Sequence, residues 1–249
     1  MLLTEDHVDL PTARGPMRAF RYQPAAPGKY PGLVLWSEIY QVTEPIARIA
    51  RALAGEGYTV VAPEVYHEFE PPGSPFQYDK ADTDKGNRYK FEKELASYDA
   101  DARAALDHLK SLPSANGRLG SIGVCLGGHL SFRCAFNSDV NAAACFYATD
   151  IHTGYLGRGK QDDSLARSRE IKGELLMVWG RQDPHIPLAG RRLIYDTLCA
   201  GGVNFTWHEF NAQHAFMRDE GHRYNPALTR LSMGMVREHF QRTLQAGVA

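Results

Sequence analysis

The sequence predicts an α/β fold, a doubly wound and mostly parallel sheet with helices on both faces. Three observations carry this. Short apolar runs alternate along the chain with segments of helical periodicity. The runs are apolar at nearly every position rather than every second one, the pattern of strands covered on both faces. The length, 249 residues, is within the range of one large α/β domain, although two small ones would also fit. Residues 1–249 are read as a single domain, the more economical division. A chain of this size can bury roughly 70–75% of its unfolded surface, so its stability calls for no disulfide or metal.

Each element follows in order. The run PGLVLWSE (31–38) reads as a buried strand. TEPIARIARALAGEGY then reads as a helix, with Thr43 as N-cap, Pro45 in the first turn, and Gly55 and Gly57 as the stop. YTVVAPE (58–64) is the next strand, and 90–112 carries apolar residues at helical spacing. GRLGSIGVC (117–125) is a strand that breaks directly into a helix beginning LGGHLSFRCAF. Further strands are expected at 141–148, 173–180 and 203–210, with helices near 188–200 and 226–245. Two long polar segments, about 65–89 and 149–172, are punctuated by Gly and Pro and read as candidate lids or substrate walls.

Composition narrows the class of function. A net charge of −1 lacks the basic excess that phosphate contacts demand, which argues against a nucleic-acid partner. No apolar stretch approaches the ~20 residues of a membrane helix, and the first residues lack the pattern of a signal peptide. A soluble, cytoplasmic protein is the expectation. The four cysteines (125, 134, 145, 199) form no CxxC pair and no zinc-like spacing with histidine, so neither metal nor cofactor is expected. Reduced thiols leave Cys125 free for chemistry.

Cys125 stands where a strand turns into a helix, with Gly123 two residues before it and Gly127 and Gly128 just after. One reading is a tight junction with a small buried cysteine. The other is a nucleophile on a sharp turn, where flanking side chains would collide and glycine is required. Gly123 and the strand–helix context favour the second. The helix N-terminus then favours a thiolate, and the Leu126 N–H points at a developing oxyanion.

A thiolate needs a base, and the base an orienting carboxylate. Asp183 lies 58 residues after Cys125, just past a strand, and His214 a further 31 on, just past the next. The order nucleophile, acid, histidine is that of elbow hydrolases, and both residues fall at carboxyl ends of strands, where α/β folds bind ligands. His208 lies within a strand, His185 on the loop of the acid itself, and His129 on the helix after the elbow; His214 is preferred by position.

Taken together, VLWSEIYQV (34–42), VVAPEVY (60–66), GSIGVCLGG (120–128), WGRQDPHIP (179–187) and AQHAF (212–216) resemble the dienelactone hydrolase (carboxymethylenebutenolidase) family of α/β-hydrolases over nearly the whole chain. The resemblance implies an α/β-hydrolase fold and a triad of Cys125, Asp183 and His214. It gives Glu38 the part of holding the resting thiol and taking its proton when substrate arrives; the alternative is a solvated strand-end carboxylate. Ile39 would supply the second oxyanion N–H, beside Leu126. It further implies an anionic lactone held by arginines. Arg218, four residues past His214, matches one by spacing; the other falls on Lys85, with Arg88 adjacent, and the Tyr89-Lys90 pair resembles the family. A family tryptophan is replaced by Glu92. Tyr147 reads equally as a pocket wall or a core aromatic.

The implied activity is a carboxylic ester hydrolase acting on a small anionic lactone or activated ester through an acyl-cysteine, weak on ordinary alkyl esters and belonging to the breakdown of aromatic compounds. A carboxylesterase or lactonase of other preference gains if Lys85 and Arg88 point away from the pocket. A non-catalytic or redox-sensing protein is the reading from a different class, and it does not call for an Asp/His pair.

Overall fold

The computed structural model describes residues 1–245. The chain opens with an antiparallel hairpin, β1 (Leu3–Thr12) and β2 (Gly15–Pro24), which has no apolar run to announce it. Charge marks it instead. Asp6 lies opposite Arg21 and Asp9 opposite Arg18, bonded at 2.6 and 2.8 Å. Charges along an exposed edge strand also discourage pairing with another chain.

Six parallel strands follow: β3 (Tyr30–Trp36), β4 (Thr59–Pro63), β5 (Ala115–Val124), β6 (Val140–Phe146), β7 (Glu174–Gly180) and β8 (Phe205–Phe210). The sheet order is β1-β2-β4-β3-β5-β6-β7-β8, with β2 antiparallel to β4. The helices are α1 (Glu44–Gly55), α2 (Lys80–Glu92), α3 (Leu95–Ser111), α4 (Leu126–Cys134), the single turn α5 (Ser164–Arg167), α6 (Leu188–Ala200) and α7 (Pro226–Phe240). None is long and apolar enough to cross a membrane.

Neighbouring residues of β5 show the two covered faces. Ser121 meets the Trp36 indole N–H at 3.1 Å and the Cys134 thiol of α4, whereas a side chain at Gly120 would strike Leu244 beyond α7 at 2.9 Å. Successive strand residues point to opposite faces, so α4 and the C-terminal helix lie on opposite sides of the sheet. The α/β-hydrolase architecture expected from the sequence is the observed one.

Three expectations need correction. Thr43 occupies the N-cap of α1 but does not cap with its side chain; its hydroxyl bonds Tyr78 at 2.7 Å. The helix expected over 90–112 is two helices, because Lys93 and Glu94 are extended, with ψ of 137° and 141°. That break sets the Lys93 ammonium in the interior, 2.7 Å from Asp101 and 2.8 Å from Glu68. The segment 65–89 is consequently not all loop, since α2 begins at Lys80; 149–172 does stay irregular apart from single helical turns.

Candidate active site

The carboxyl ends of the parallel strands form one cavity of about 190 Å³. That lies below the usual 300–1,000 Å³ of drug-sized sites and suits a small ligand. The irregular backbone gathers there too. Among the described residues six non-glycine residues have positive φ, and five of them, Gln41, Cys125, Tyr147, Asp150 and Ala215, follow strands of the sheet along this rim. Strain of this kind persists where the surrounding structure over-determines it.

Cys125 is at φ 60°, ψ −122°, immediately before α4. Its N–H donates to the Phe146 carbonyl at 3.0 Å, and its own carbonyl accepts from Gly128 at 3.0 Å and Thr149 at 3.3 Å. The glycines make the turn possible. A Cβ at Gly123 would fall 1.9 Å from the Gly127 carbonyl oxygen, one at Gly127 2.1 Å from that of Trp36, and one at Gly128 2.6 Å from that of Phe146. No side chain fits any of the three without moving backbone. Cys125 is 9% exposed and lines the cavity, so it is neither sealed in packing nor set on the surface.

His214 is buried on the wall of the same cavity, and its Nδ1 is bonded to Asp183 Oδ2 at 2.6 Å. The other oxygen of Asp183 accepts the His185 backbone N–H at 2.8 Å, fixing the carboxylate from both sides. Burial pulls the His214 pKa down, but a thiolate at Cys125 and the Asp183 carboxylate outweigh it and push it up to about 10. Tyr147 packs edge-on against the imidazole at 5.1 Å and is itself buried, outside the cavity lining; of its two sequence readings, the packed aromatic is the observed one. His185, 4.7 Å from the His214 ring, does line the cavity, and burial together with the charge of His214 lowers its pKa.

Glu38 is 2% exposed, so it is not a solvated strand-end carboxylate. It lines the cavity with one oxygen lacking a hydrogen-bond partner among the described residues, 3.7 Å from Arg218. Burial raises its pKa and the Arg218 charge opposes the rise. Arg218 lies over the rings of Tyr78 and Tyr40, at 4.4 and 5.7 Å. Ile39 follows Glu38 on the same rim, and Leu126, first in α4, has no intrahelical acceptor for its N–H.

Lys85, Arg88 and Tyr89, expected to meet the substrate, are not among the residues that line this cavity. Lys85 sits 3.3 Å from Asp82 and 3.4 Å from Glu70, over the Phe76 ring. Arg88 faces solvent near Glu92, and Tyr89 is stacked on Phe69 with its hydroxyl donating to Glu70 at 2.8 Å. The face of α2 that does reach the cavity is Thr83, Asn87 and Lys90, the last paired with Asp150 at 2.8 Å. Sequence reading missed this face because it treated the first half of α2 as loop; the i, i+4, i+7 spacing of the three was the available signal. It also missed Arg223, five residues past Arg218 in a loop without periodicity.

A mostly parallel sheet with a strained strand-to-helix turn at Cys125, and an imidazole and a carboxylate at successive strand ends, has the architecture of the α/β-hydrolases. Within that class, a family model described as the dienelactone hydrolase family matches residues 17–244, and the chain belongs to that family. A Saccharomyces cerevisiae protein named "Putative carboxymethylenebutenolidase" is 45% identical, the match covering 98% of this chain and 94% of the yeast protein. The carboxymethylenebutenolidase of Pseudomonas putida is 27% identical over 80% of this chain and 81% of its own. In fold, the chain is similar to a Klebsiella pneumoniae protein whose crystal structure is titled a "Putative Dienelactone Hydrolase", with a TM-score of 0.84, 21% identity, and coverage of 97% of this chain and all of that one.

Proposed function

We propose that the protein hydrolyses a small, carboxylate-bearing lactone or activated ester by acyl transfer to Cys125. One observation carries the reading: a cysteine held at φ 60° lines the same cavity as an imidazole that is bonded to a buried carboxylate. The thiolate attacks the acyl carbon, and the oxyanion is held by the Ile39 and Leu126 amides. Collapse breaks the C–O bond, the leaving oxygen takes the proton of His214, and an acyl-Cys125 remains. A water then loses its proton to His214, attacks the thioester and releases the acid.

The proton balance favours this order. A charged Cys125 holds the imidazole protonated, ready to protonate the leaving group. Acylation abolishes that charge, so burial regains weight and His214 becomes a base for the second half. Glu38, which lines the same cavity, is the group that takes the proton from a Cys125 still in its thiol form. A thiolate leaves readily, which suits an enol ester better than an unactivated alkyl ester. Cys134 and Cys145 are buried, and burial pushes both thiols up to about 12; neither suits the resolving thiol of a redox sensor.

Steady-state kinetics on a dienelactone test the reading. Cys125→Ala should lower kcat by roughly 10⁴-fold or more, and Glu38→Gln by roughly 10²-fold. A wild-type rate in either variant removes that residue from the mechanism. A second reading, a lactonase or carboxylesterase with the same machinery and another preference, is favoured by the outward placement of Lys85 and Arg88. A panel of charged and neutral esters separates the two.

A further inference from the structure

The cavity holds a charge that the chemistry above does not use. Three side chains of permanent positive charge line it: Lys90, Arg218 and Arg223. Lys90 is matched by Asp150 at 2.8 Å, and Arg218 faces Glu38 at 3.7 Å. Arg223 has no ion pair among the described residues, and its Nε is buried without an acceptor. A buried, charged N–H left unpaired is costly, and any ligand that supplies an acceptor relieves that cost. Two of the three permanent cations are therefore matched, and Arg223 is the one left without a carboxylate among the described residues.

Its position is fixed by its loop. Residues 217–225 leave the sheet after His214 and return to α7, and the Asn225 N–H closes the loop on the Phe216 carbonyl at 2.9 Å. The Asn225 side chain caps α7 at Leu228, 3.0 Å away. Asp219 is bonded to Arg48 of α1 at 2.8 Å, and Gly221 turns the chain at φ 101°. A guanidinium on a loop tied at both ends and in the middle loses little freedom when it binds.

We propose that Arg223 is the second cation of the substrate-carboxylate site, acting with Arg218 in place of a side chain at Lys85 or Arg88. This rests on the hydrolase reading above and fixes its substrate class as anionic. A guanidinium with a free edge can take a carboxylate through two parallel hydrogen bonds, which an ammonium cannot.

The test uses the full-length enzyme with a dienelactone acid and its methyl ester, and reads the ratio of their kcat/KM values. In Arg223→Gln the preference for the acid should fall roughly 10- to 100-fold, chiefly through KM. Arg223→Lys should recover part of it, while Lys85→Ala and Arg88→Ala should hold the ratio within about twofold. An unchanged ratio in Arg223→Gln, or an equal loss in Lys85→Ala, overturns the assignment. Should Arg223→Gln melt early, the same ratio in Arg223→Lys decides, since full retention there denies the paired geometry. Acylation of Cys125 by the dienelactone acid is followed alongside. Its absence from the wild type defeats the hydrolase reading, whereas its presence with an unchanged ratio defeats only the part given to Arg223.

Discussion

Cys125 is held in backbone that costs about 1–3 kcal/mol for a residue with a side chain, and three glycines with no room for a Cβ surround it. What this placement does for the imidazole is measurable. The ordinary histidine value is near 6.5, and His214 sits at about 10 because its two negative neighbours outweigh burial. The sign follows from the raised value. Charged His214 stabilises the folded state fully below about pH 6.5, and that contribution drains away as the pH climbs through about 10. Capping Cys125 with a neutral alkyl group removes the first of the raising charges. We expect the His214 titration, followed by NMR, to move down by at least about one unit on alkylation. A titration that stays in place would mean that the thiolate does not govern the imidazole.

The break between α2 and α3 shows how one buried side chain shapes an element. Lys93 is fully buried between Glu68 and Asp101, with His67 at 3.3 Å. Lys93→Met keeps the volume and strands the buried Asp101 and the half-buried Glu68, so unfolding should become easier by roughly 3–5 kcal/mol, read by denaturant titration. A loss under about 1 kcal/mol would show that the cluster is solvated or protonated instead.

The same contrast explains what could be read from sequence. β3 to β7 are legible because strands buried on both faces are apolar at nearly every position, and the edge strand β8 is legible from its Phe205, Trp207 and Phe210. The β1–β2 hairpin is not, since an edge paired through Asp6–Arg21 and Asp9–Arg18 has the composition of a loop. Chain order, spacing and strand-end context singled out Cys125, Asp183 and His214 together. The resemblance pointed to Lys85 and Arg88, but a helix puts 83, 87 and 90 on one side and 85 and 88 on the other. Arg223 has no register at all, and only the folded loop brings it in.

At the scale of the molecule, the sheet works as a rigid comb whose teeth end at one cavity. Glu38 comes from the end of β3, Cys125 of β5, Asp150 of β6, Asp183 of β7 and His214 of β8. Groups that lie almost 180 residues apart in sequence are thereby gathered at one cavity, Asp183 reaching it through His214. With a net charge of −1 over 249 residues, the molecule as a whole exerts little pull on an anion, so selection for one must come from the cavity wall.

A bent backbone that offers one sulfur to a relayed imidazole is the feature on which all this chemistry depends. It is tested most directly by mixing enzyme with an activated lactone, quenching in acid within the first turnover, and weighing the peptides. The acyl mass should appear on the peptide that contains Cys125, decay at the rate of turnover, and vanish in Cys125→Ala. Steady hydrolysis with no adduct on that peptide, or undiminished hydrolysis after the substitution, would show that the sulfur is a bystander.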